Sequence, residues 1–517
     1  MPTRRDFMAT AAAAGAASAL NLNASTYAQV AGANDRIRIG FLGVGGRCQQ
    51  HIDVVTRMQR ENRGVAAVAV CDVWDGNEQL GRGTGRGLYP SARKCGLNRD
   101  DNRHVTKDYR RVLELTDVDA VCIATPDHWH AKMAIDAAAA GKHIYCEKPM
   151  TKTIDEAHAV VDAARRHNVV MTVGVQSMAD PTWRTAYNMI RQGEIGHVAQ
   201  AQTSYYRNSL VGQWRYYPLT RDMNPTTVDW DMFLGHQFSI FPGVPLGPRI
   251  PFDRAVFAQW RCYWDFGGGM FTDLFVHQTT HMIAAMGVRY PKRVVGAGGI
   301  YLEYDGRDVP DVATVVADYD EGCQLIISAT MINDYGLEEC IRGRLATLKF
   351  GTRTKMENGQ TVREFGMEIL PQAPGGRPTG PQGQAQMQGR WVPGGLRGDD
   401  TAALWTNFLE CVRARNRDTW STPELGAAAF TTVNMGVQSY RKGQALFWDK
   451  DRRRPIPADD SWATAWERRS HERGQPNQVI GWQGGTNGST LSPPDYQRLE
   501  GPWTNGQDPA ANTSGQP

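Results

Sequence analysis

Residues 37–48 read Ile-Arg-Ile-Gly-Phe-Leu-Gly-Val-Gly-Gly-Arg-Cys, and this stretch decides the fold of the first part of the chain. Its first half is mostly apolar and predicts a strand, the glycines predict a tight turn, and a helix follows from about Cys48. The strict alternation of strand and helix that continues beyond it predicts an α/β fold with a doubly wound parallel sheet. Further strands are predicted at 65–71, 120–124, 143–146 and 169–175, and helices at 109–116, 154–167 and in an alanine-rich run up to 140.

The glycine turn also predicts a ligand. It matches the dinucleotide-binding fingerprint except that Cys48 stands at the third glycine, and it lies between a predicted strand and a predicted helix, as that motif requires. The backbone amides of such a turn approach a pyrophosphate, which here gives the candidate cofactor-binding residues Gly43, Val44, Gly45, Gly46 and Arg47.

The second strand ends at Asp72, and this residue bears on which dinucleotide binds. A carboxylate there accepts a hydrogen bond from a ribose 2′-hydroxyl and repels a 2′-phosphate, so NAD is favoured over NADP. Arg82 and Arg86 in the following loop leave room for NADP, and a solvated carboxylate at a strand end is the alternative interpretation of Asp72.

Two further stretches bring ionisable residues into apolar surroundings. Lys148 lies just after the predicted strand at 143–146, and Gly267–His277 opens a predicted apolar helix on three glycines. Asp273 and His277 lie four residues apart, hence on one helix face, which His281 continues. A lysine, an aspartate and a histidine brought together would suit the removal of a proton from a hydroxyl while a hydride leaves the same carbon. A stray lysine and a hydrogen-bonded core histidine remain the alternative.

The second half of the chain has a different pattern. Alternating apolar and polar residues predict antiparallel strands at 312–319, 324–330 and 346–350, and closing helices are predicted at 401–415 and 425–443. We therefore predict four segments: an export signal and linker at 1–33, a nucleotide-binding domain at 34–177, a substrate and oligomerisation domain at 178–455, and a polar C-terminal extension at 456–517.

The composition limits the classes of function. The 517 residues are 41% hydrophobic and 21% charged, and the net charge of +3 is too balanced to indicate a nucleic-acid partner. No apolar stretch reaches the length of a membrane span. The nine cysteines lack metal-type spacing, so no metal site is expected. A homo-oligomer is expected.

The N-terminus resembles an export signal. Thr3-Arg4-Arg5-Asp6-Phe7-Met8 is typical of a twin-arginine signal, and an alanine-rich run follows it to Leu20. The twin-arginine pathway carries folded proteins, often with a cofactor inside. The sequence thus predicts a periplasmic or otherwise exported protein.

With these motifs in place, the chain resembles the Gfo/Idh/MocA oxidoreductases, named for glucose–fructose oxidoreductase and inositol dehydrogenase. The resemblance runs from about Arg36 to Asp449. It implies an N-terminal Rossmann domain and a C-terminal α/β domain with a large, open, mostly antiparallel sheet. It also implies a cis peptide at Lys148-Pro149. The motifs that carry the likeness are the glycine turn, Thr125-Pro126 with His130, Glu147-Lys148-Pro149, Gly174–Gln176, Gly193–Gly196 and Gly267–His277.

The same resemblance implies residue roles. Lys148, Asp273 and His277 are the expected catalytic residues, lining the substrate cleft beside the nicotinamide. The expected cofactor contacts beyond the glycine turn and Asp72 are Thr125, Pro126, His130, Glu147, Lys148 and Gln176. The chain departs from the family in carrying Thr280 where many members place an aspartate. It also lacks the histidine- and glycine-rich segment usual in the secreted glycosidases of the family.

The expected function is NAD-dependent oxidation of a secondary hydroxyl of a sugar or polyol, with the cofactor held tightly. Two alternatives stay open at this point. One is a redox-neutral glycosidase or lyase that oxidises its sugar transiently. The other is a non-catalytic protein that binds a sugar or a nucleotide.

Overall fold

A computed structural model describes residues 36–357, 359–372, 389–396 and 398–473. The predicted export signal and residues 474–517 of the predicted C-terminal extension lie outside this range. Contacts divide the chain into two compact units, Met1–Ala124 and Thr125–Pro517. The predicted boundary at residue 177 is a different division, drawn from the sequence pattern.

The predicted parallel sheet is confirmed. Six strands lie in the order β3-β2-β1-β4-β5-β6, and the pairings of β1 with β2 and β4, β2 with β3, and β5 with β6 are parallel. The strands are β1 Ile37–Leu42, β2 Val65–Cys71, β3 Val105–Thr106, β4 Ala120–Ile123, β5 His143–Glu147 and β6 Met171–Gly174. The helices that alternate with them are α1 Gly46–Arg60, α2 Leu80–Gly83, α3 Leu88–Lys94, α4 Tyr109–Glu114, α5 Asp127–Ala139 and α6 Ile154–Arg166.

The glycine turn follows from the geometry at the end of β1. Gly43 has φ of +78°, which a side chain would strain, and its N–H bonds the carbonyl of Cys71 at 2.8 Å. Cys48 is fully buried in α1, so the residue at the third glycine position packs as a small apolar side chain.

A second sheet of eleven strands dominates the rest of the chain and is mostly antiparallel, as predicted. Its order is β17-β16-β15-β14-β7-β12-β11-β10-β18-β19, and β13 also pairs with β7; the one parallel pairing joins β7 to β12. Its strands are β7 Val198–Asn208, β10 Arg293–Gly299, β11 Val312–Tyr319, β12 Cys323–Thr330, β13 Ile332–Asn333, β14 Glu339–Gly343, β15 Ala346–Glu357, β16 Gln360–Pro371, β17 Arg390–Pro393, β18 Leu446–Asp449 and β19 Arg454–Pro457, while β8 Ser239–Phe241 and β9 Val244–Pro245 form a separate hairpin.

The central strand β7 was missed from the sequence. Both faces of this strand, residues 198–208, are rich in polar side chains. The alternation of apolar and polar residues that normally indicates a strand is therefore weak. The loop predicted to follow the second strand was also wrong in part, because two short helices, α2 and α3, lie in that region.

Of the remaining helices, α11 and α13 pack against the large sheet. α11 packs against α7, β7 and α13, which buries its apolar residues. These helices are α7 Pro181–Arg191, α8 Trp230–Leu234, α9 Arg254–Ala258, α10 Gly269–Asp273, α11 Phe275–Met286, α12 Asp400–Ala414, α13 Pro423–Lys442 and α14 Ser461–Arg473. The last of them lies within the predicted C-terminal extension.

The glycine-rich stretch forms two helices where the sequence predicted one. Gly269 has φ of +56°, and a Cβ there would lie 2.6 Å from Cβ of Val309, so the chain can turn at this point only with glycine. α10 ends at Asp273, and α11 begins at Phe275 after a break at Leu274. Asp273 and His277 therefore lie on either side of this break.

Candidate active site

The structure joins the predicted lysine and aspartate directly. Lys148 Nζ donates to Oδ1 and to the backbone carbonyl of Asp273, at 2.9 Å each. Arg261 Nε donates to the same Oδ1 at 3.1 Å. Burial disfavours the charged carboxylate, but Lys148 and Arg261 outweigh it and hold the pKa of Asp273 well below its usual range. Asp273 is therefore a carboxylate shared by two cations.

Lys148 is fixed by the strand that precedes it and the turn that follows. It comes directly after β5, and its peptide bond to Pro149 is cis, as the resemblance implied. The ring of His130 lies behind this turn, with Nδ1 2.6 Å from the Pro149 carbonyl and Nε2 2.9 Å from the Thr125 carbonyl. Burial lowers the pKa of His130. His130, predicted as a cofactor contact, thus holds the backbone that carries Lys148.

His277 lies at the start of α11 and is half-buried. Its ring is nearly parallel to that of Tyr205 on β7, with 6.1 Å between the ring centroids and 29° between the planes. Its charged form lowers the pKa of Asp273 further, after the larger effects of burial, Lys148 and Arg261. The structure therefore brings the three predicted catalytic residues, Lys148, Asp273 and His277, into one cluster.

His281, the next residue on the predicted helix face, belongs to a different network. Its Nε2 lies 2.8 Å from Oε1 of Glu339, and its Nδ1 lies 3.0 Å from Oγ of Ser177. Trp183 stacks on the ring at 3.9 Å, and Thr203 donates to the same Glu339 oxygen at 2.6 Å. His281 is therefore the hydrogen-bonded core histidine that the sequence left open as an alternative.

A second buried carboxyl lies near Asp273. Asp127 begins helix α5 directly after Pro126 and is almost fully buried. Burial, and then the negative charge of Asp273, raise the pKa of Asp127 well above its usual value. The two carboxyls thus differ in charge, because the cations lie against Asp273.

The backbone of the glycine turn is open to close approach by a ligand. An added Cβ on Gly45 would meet nothing within 4 Å, which leaves open space beside the turn. The guanidinium of Arg86 lies close to the turn, with Cζ 3.3 Å from where a Cβ on Gly46 would stand. Arg47 reaches along α1 to the side chain of Gln50. The Arg82 side chain lies outside the described part of the structure.

Asp72 is tied to the same turn. Its Oδ1 accepts from the N–H of Trp74 at 2.9 Å, and the N–H of Val44 is a further donor to the carboxylate. Burial raises the pKa of Asp72 to about 6 against these hydrogen bonds. A carboxylate has about four acceptor positions, so oxygens remain for a ribose hydroxyl. The open turn and this acceptor fit a dinucleotide.

The other predicted cofactor residues lie in the second compact unit. Thr125 Oγ1 is buried and has no hydrogen-bond partner among the described residues. Buried hydroxyls usually form a hydrogen bond, so this one is available to a ligand. Pro126 caps α5, and Glu147 Oε2 accepts from the N–H of Lys148 at 3.1 Å. Gln176 opens a short 3₁₀ helix, Gln176–Ala179, and is half-buried.

Sequence reasoning missed Arg261, Tyr205 and Asp127. Arg261 lies six residues before the three glycines, between Trp260 and Cys262, and its guanidinium stacks on Trp260 at 4.1 Å. An arginine inside an apolar, aromatic segment is the signal that could have found it. Tyr205 and Asp127 carried no local signal.

The described part of the chain contains no candidate metal cluster and no candidate membrane-spanning helix. Across the described ranges, no group of three or more His, Cys, Asp or Glu side chains could hold a metal ion. Of the helices in the described part, none combines the length and the apolar character needed to cross a bilayer.

Two family models match this chain. Residues 37–175 match the model described as an oxidoreductase family with an NAD-binding Rossmann fold, and residues 248–349 match the GFO/IDH/MocA C-terminal domain. Over these two ranges the chain is similar to the Gfo/Idh/MocA oxidoreductases. The first match spans the glycine turn, Asp72 and Lys148, and the second spans Arg261, Asp273 and His277.

Curated proteins that are similar to this chain include some with glycosidase names. A glycosyl hydrolase family 109 protein of Shewanella pealeana is 32% identical over 198 residues, which is 35% of this chain and 40% of the relative. The alpha-N-acetylgalactosaminidase of Shewanella oneidensis is 29% identical over 221 residues, 38% of this chain and 46% of the relative. The chain spans less than half the length of these two relatives.

Two solved structures with a similar fold are named dehydrogenases. The WlbA dehydrogenase of Bordetella pertussis, in complex with NADH and UDP-GlcNAcA, has a TM-score of 0.54 and 17% identity, covering 82% of this chain and 100% of that one. Levoglucosan dehydrogenase in complex with NADH and levoglucosan has a TM-score of 0.53 and 19% identity, covering 80% and 99%. At these identities the likeness concerns the fold.

Proposed function

We propose that this protein oxidises a secondary hydroxyl of a sugar or polyol with NAD as the oxidant. The observation that carries the proposal is the cluster of Lys148, Asp273 and His277, because it combines a fixed cation with a base in one place. When bound at the glycine turn and Asp72, NAD supplies the acceptor for the hydride.

The three residues have different roles in removing the hydroxyl proton. His277 accepts the hydroxyl proton, a role suited to imidazole near neutral pH. Lys148 donates a hydrogen bond to the same oxygen and stabilises the negative charge that develops on it. Asp273 holds the ammonium of Lys148 in place, and Arg261 is the second cation on that carboxylate.

A redox-neutral glycosidase is the second candidate. The relatives from Shewanella pealeana and Shewanella oneidensis carry glycosidase names, which favours this candidate. In that case transient oxidation of the sugar would acidify a neighbouring carbon and permit cleavage of the glycosidic bond. The cluster of Lys148, Asp273 and His277 serves the oxidation step in both candidates.

One panel of substrates separates the two candidates. Free sugars, polyols and aryl glycosides are incubated with the full chain and NAD, and both NADH formation and aglycone release are measured. Net NADH from a free sugar supports the dehydrogenase, whereas aglycone release without net NADH supports the glycosidase. Binding of a sugar with neither product would leave a non-catalytic protein and overturn the proposal.

We also propose that the protein is exported folded through the twin-arginine pathway and assembles as a homo-oligomer. Arg4-Arg5 and the alanine-rich run behind them support the export, and they lie outside the described residues. Export would be tested by replacing Arg4-Arg5 with Lys-Lys and fractionating the cells, and assembly by light scattering of the purified protein.

A further inference from the structure

Strand β7 and helix α11 pack against each other. Two residues of a strand span about 6.8 Å and four residues of a helix span about 6 Å. Every second residue of the strand can therefore contact every fourth residue of the helix. Thr203 and His281 meet at Glu339, and Tyr205 lies against His277. The next residue on this face of β7 is Arg207, and Asp273 precedes α11 beyond the break at Leu274.

Arg207 is a half-buried cation without a carboxylate of its own. Its Nη2 donates to the hydroxyl of Tyr205 at 2.5 Å, and its guanidinium lies 4.8 Å from the centroid of that ring. Burial acts to lower the pKa of Arg207, but Tyr205, Tyr216 and Asp273 outweigh it and raise it. Among the residues that the structure describes, no Asp or Glu oxygen lies within ion-pair distance of Arg207.

The charges around the cluster do not balance. Lys148, Arg261 and Arg207 are three cations, and among the described residues Asp273 is the one carboxylate that pairs with any of them. Lys148 and Arg261 hold Asp273 ionised. Asp127 does not compensate, since burial and Asp273 push it toward its neutral form. A partly desolvated surplus of positive charge is stable when an anion joins it.

We propose that the substrate is an anionic sugar, whose carboxylate or phosphate group binds Arg207 while its hydroxyl lies at Lys148 and His277. The inference rests on the proposed function and specifies its substrate class. A guanidinium can bind either anion through two parallel N–H donors, and the aromatic ring of Tyr205 keeps it oriented. Tyr216, whose pKa is raised to about 12 by burial and then by Tyr217, remains a neutral hydroxyl beside the anion.

Binding to the NAD-loaded full chain tests the inference without requiring turnover. The probes form two matched series: D-glucuronate, D-glucose 6-phosphate and D-glucose, and D-galacturonate, D-galactose 6-phosphate and D-galactose. Dissociation constants are measured by calorimetry for the wild type, Arg207→Met, Arg207→Lys and Arg342→Met. Arg342 is the matched control, an arginine on neighbouring β14 that donates to Gln200 at 3.2 Å. Thermal melts show which variants remain folded.

The wild type should bind an acid or a phosphate about 10–100-fold more tightly than the neutral sugar of the same series, as one charged hydrogen-bonded contact allows. Arg207→Met should remove that preference, whereas Arg207→Lys and Arg342→Met should keep it. The stronger of the acid and phosphate arms identifies the anionic group. If Arg207→Met does not fold, loss of the wild-type preference in high salt replaces it as the test.

Three results would overturn the inference: equal or weaker binding of every charged probe, no binding of any charged probe, or an unchanged preference in folded Arg207→Met. The proposed function fails separately. Tight binding of an acid without NADH or glycoside cleavage would overturn the proposed function and support the anion site. Oxidation of neutral sugars alone would support the proposed function and overturn the anion site.

Discussion

Lys148 and Asp273 lie 125 residues apart in the chain, and the ammonium of one touches the carboxylate of the other at 2.9 Å. Both side chains are nearly buried, with 11% and 9% of their surface exposed. Removing one partner of such a pair leaves the other charge uncompensated in a poorly solvated place. The pair therefore couples the end of a parallel strand to the glycine-rich helix that precedes His277.

Replacing Lys148 should impair chemistry more than nucleotide binding. Lys148→Met removes the charge that stabilises the alkoxide and keeps most of the length of the side chain, so kcat should fall about 10²–10³-fold. Lys132→Met is the control, because Lys132 forms an i,i+4 pair with Asp136 away from the cluster. Steady-state kinetics and NAD titration provide the readout. A Lys148→Met protein with normal kcat would remove the lysine from the mechanism.

Replacing His277 should remove the base. His277→Ala should lower turnover about 10²–10⁴-fold, the usual effect of losing general-base help, while NAD still binds. The exposed His167, which follows α6, provides the control variant His167→Ala. Rates are compared over pH 5–9, since loss of the base should also flatten the acidic limb of the profile. Normal turnover in His277→Ala would contradict the assigned role.

Asp72 should make NAD binding dependent on pH. The pKa of this acid is raised to about 6. The carboxylate that we propose as the acceptor for the ribose hydroxyl is therefore present above pH 6 and is lost as the pH falls below it. The Kd for NAD should therefore rise below about pH 6, by up to about tenfold per pH unit for one proton. Fluorescence titrations from pH 5 to 8 measure this change.

Asp72→Asn should flatten that dependence, and Asp72→Ala should admit NADP, because no carboxylate then repels the 2′-phosphate. The exposed Asp53, paired with Lys94, gives the control Asp53→Asn. A wild-type protein that already prefers NADP would show that Asp72 was wrongly assigned and that Arg86 dominates recognition.

The pair of His281 and Glu339 should contribute to stability. Burial opposes the charge of Glu339, but His281 and Thr203 outweigh it and hold its pKa below the usual 4.5. An acid whose folded pKa is depressed stabilises the fold above its unfolded pKa, and this stability is lost as the pH falls through the folded value. Glu339→Gln should thus cost about 1.5–3 kcal/mol at pH 7.

Urea unfolding at pH 7 and pH 4 measures the difference between wild type and Glu339→Gln. The difference should shrink at the lower pH. Glu338→Gln is the matched control, since the neighbouring Glu338 is 64% exposed and pairs with Lys349 at the surface. A Glu339→Gln difference that is the same at both pH values would mean that the lost stability is not electrostatic.

NAD should leave the protein slowly. If the protein is exported folded, a cofactor that dissociated readily would be lost where little free NAD exists. Protein purified from the periplasm and then denatured should release close to one nucleotide per chain, as judged by absorbance and enzymatic assay. Fully active protein that contains no nucleotide and binds added NAD weakly would contradict this expectation.

The first sheet was predictable because its signals are local. Each of its longer strands is a short apolar run flanked by turn or helix patterns, and the predicted β1 and β2 match the observed bounds. The single helix predicted after Gly267 was wrong, because Gly269 and the break at Leu274 reflect packing against Val309 that no local period records. β7 was missed for a similar reason. Its polar side chains are positioned by tertiary contacts, and they give no alternation of apolar and polar residues.

The sequence by itself determined the alternating α/β order, the glycine turn, Asp72 at a strand end and the presence of Lys148, Asp273 and His277. Each of these depends on neighbours within a few residues, where backbone geometry fixes the spacing. Only the tertiary structure decided that Arg261 shares Asp273, that His281 belongs to Glu339, and that Arg207 stands beside the cluster without a carboxylate. Those relations join segments far apart in the chain, and side-chain packing and charge, which have no sequence period, select them.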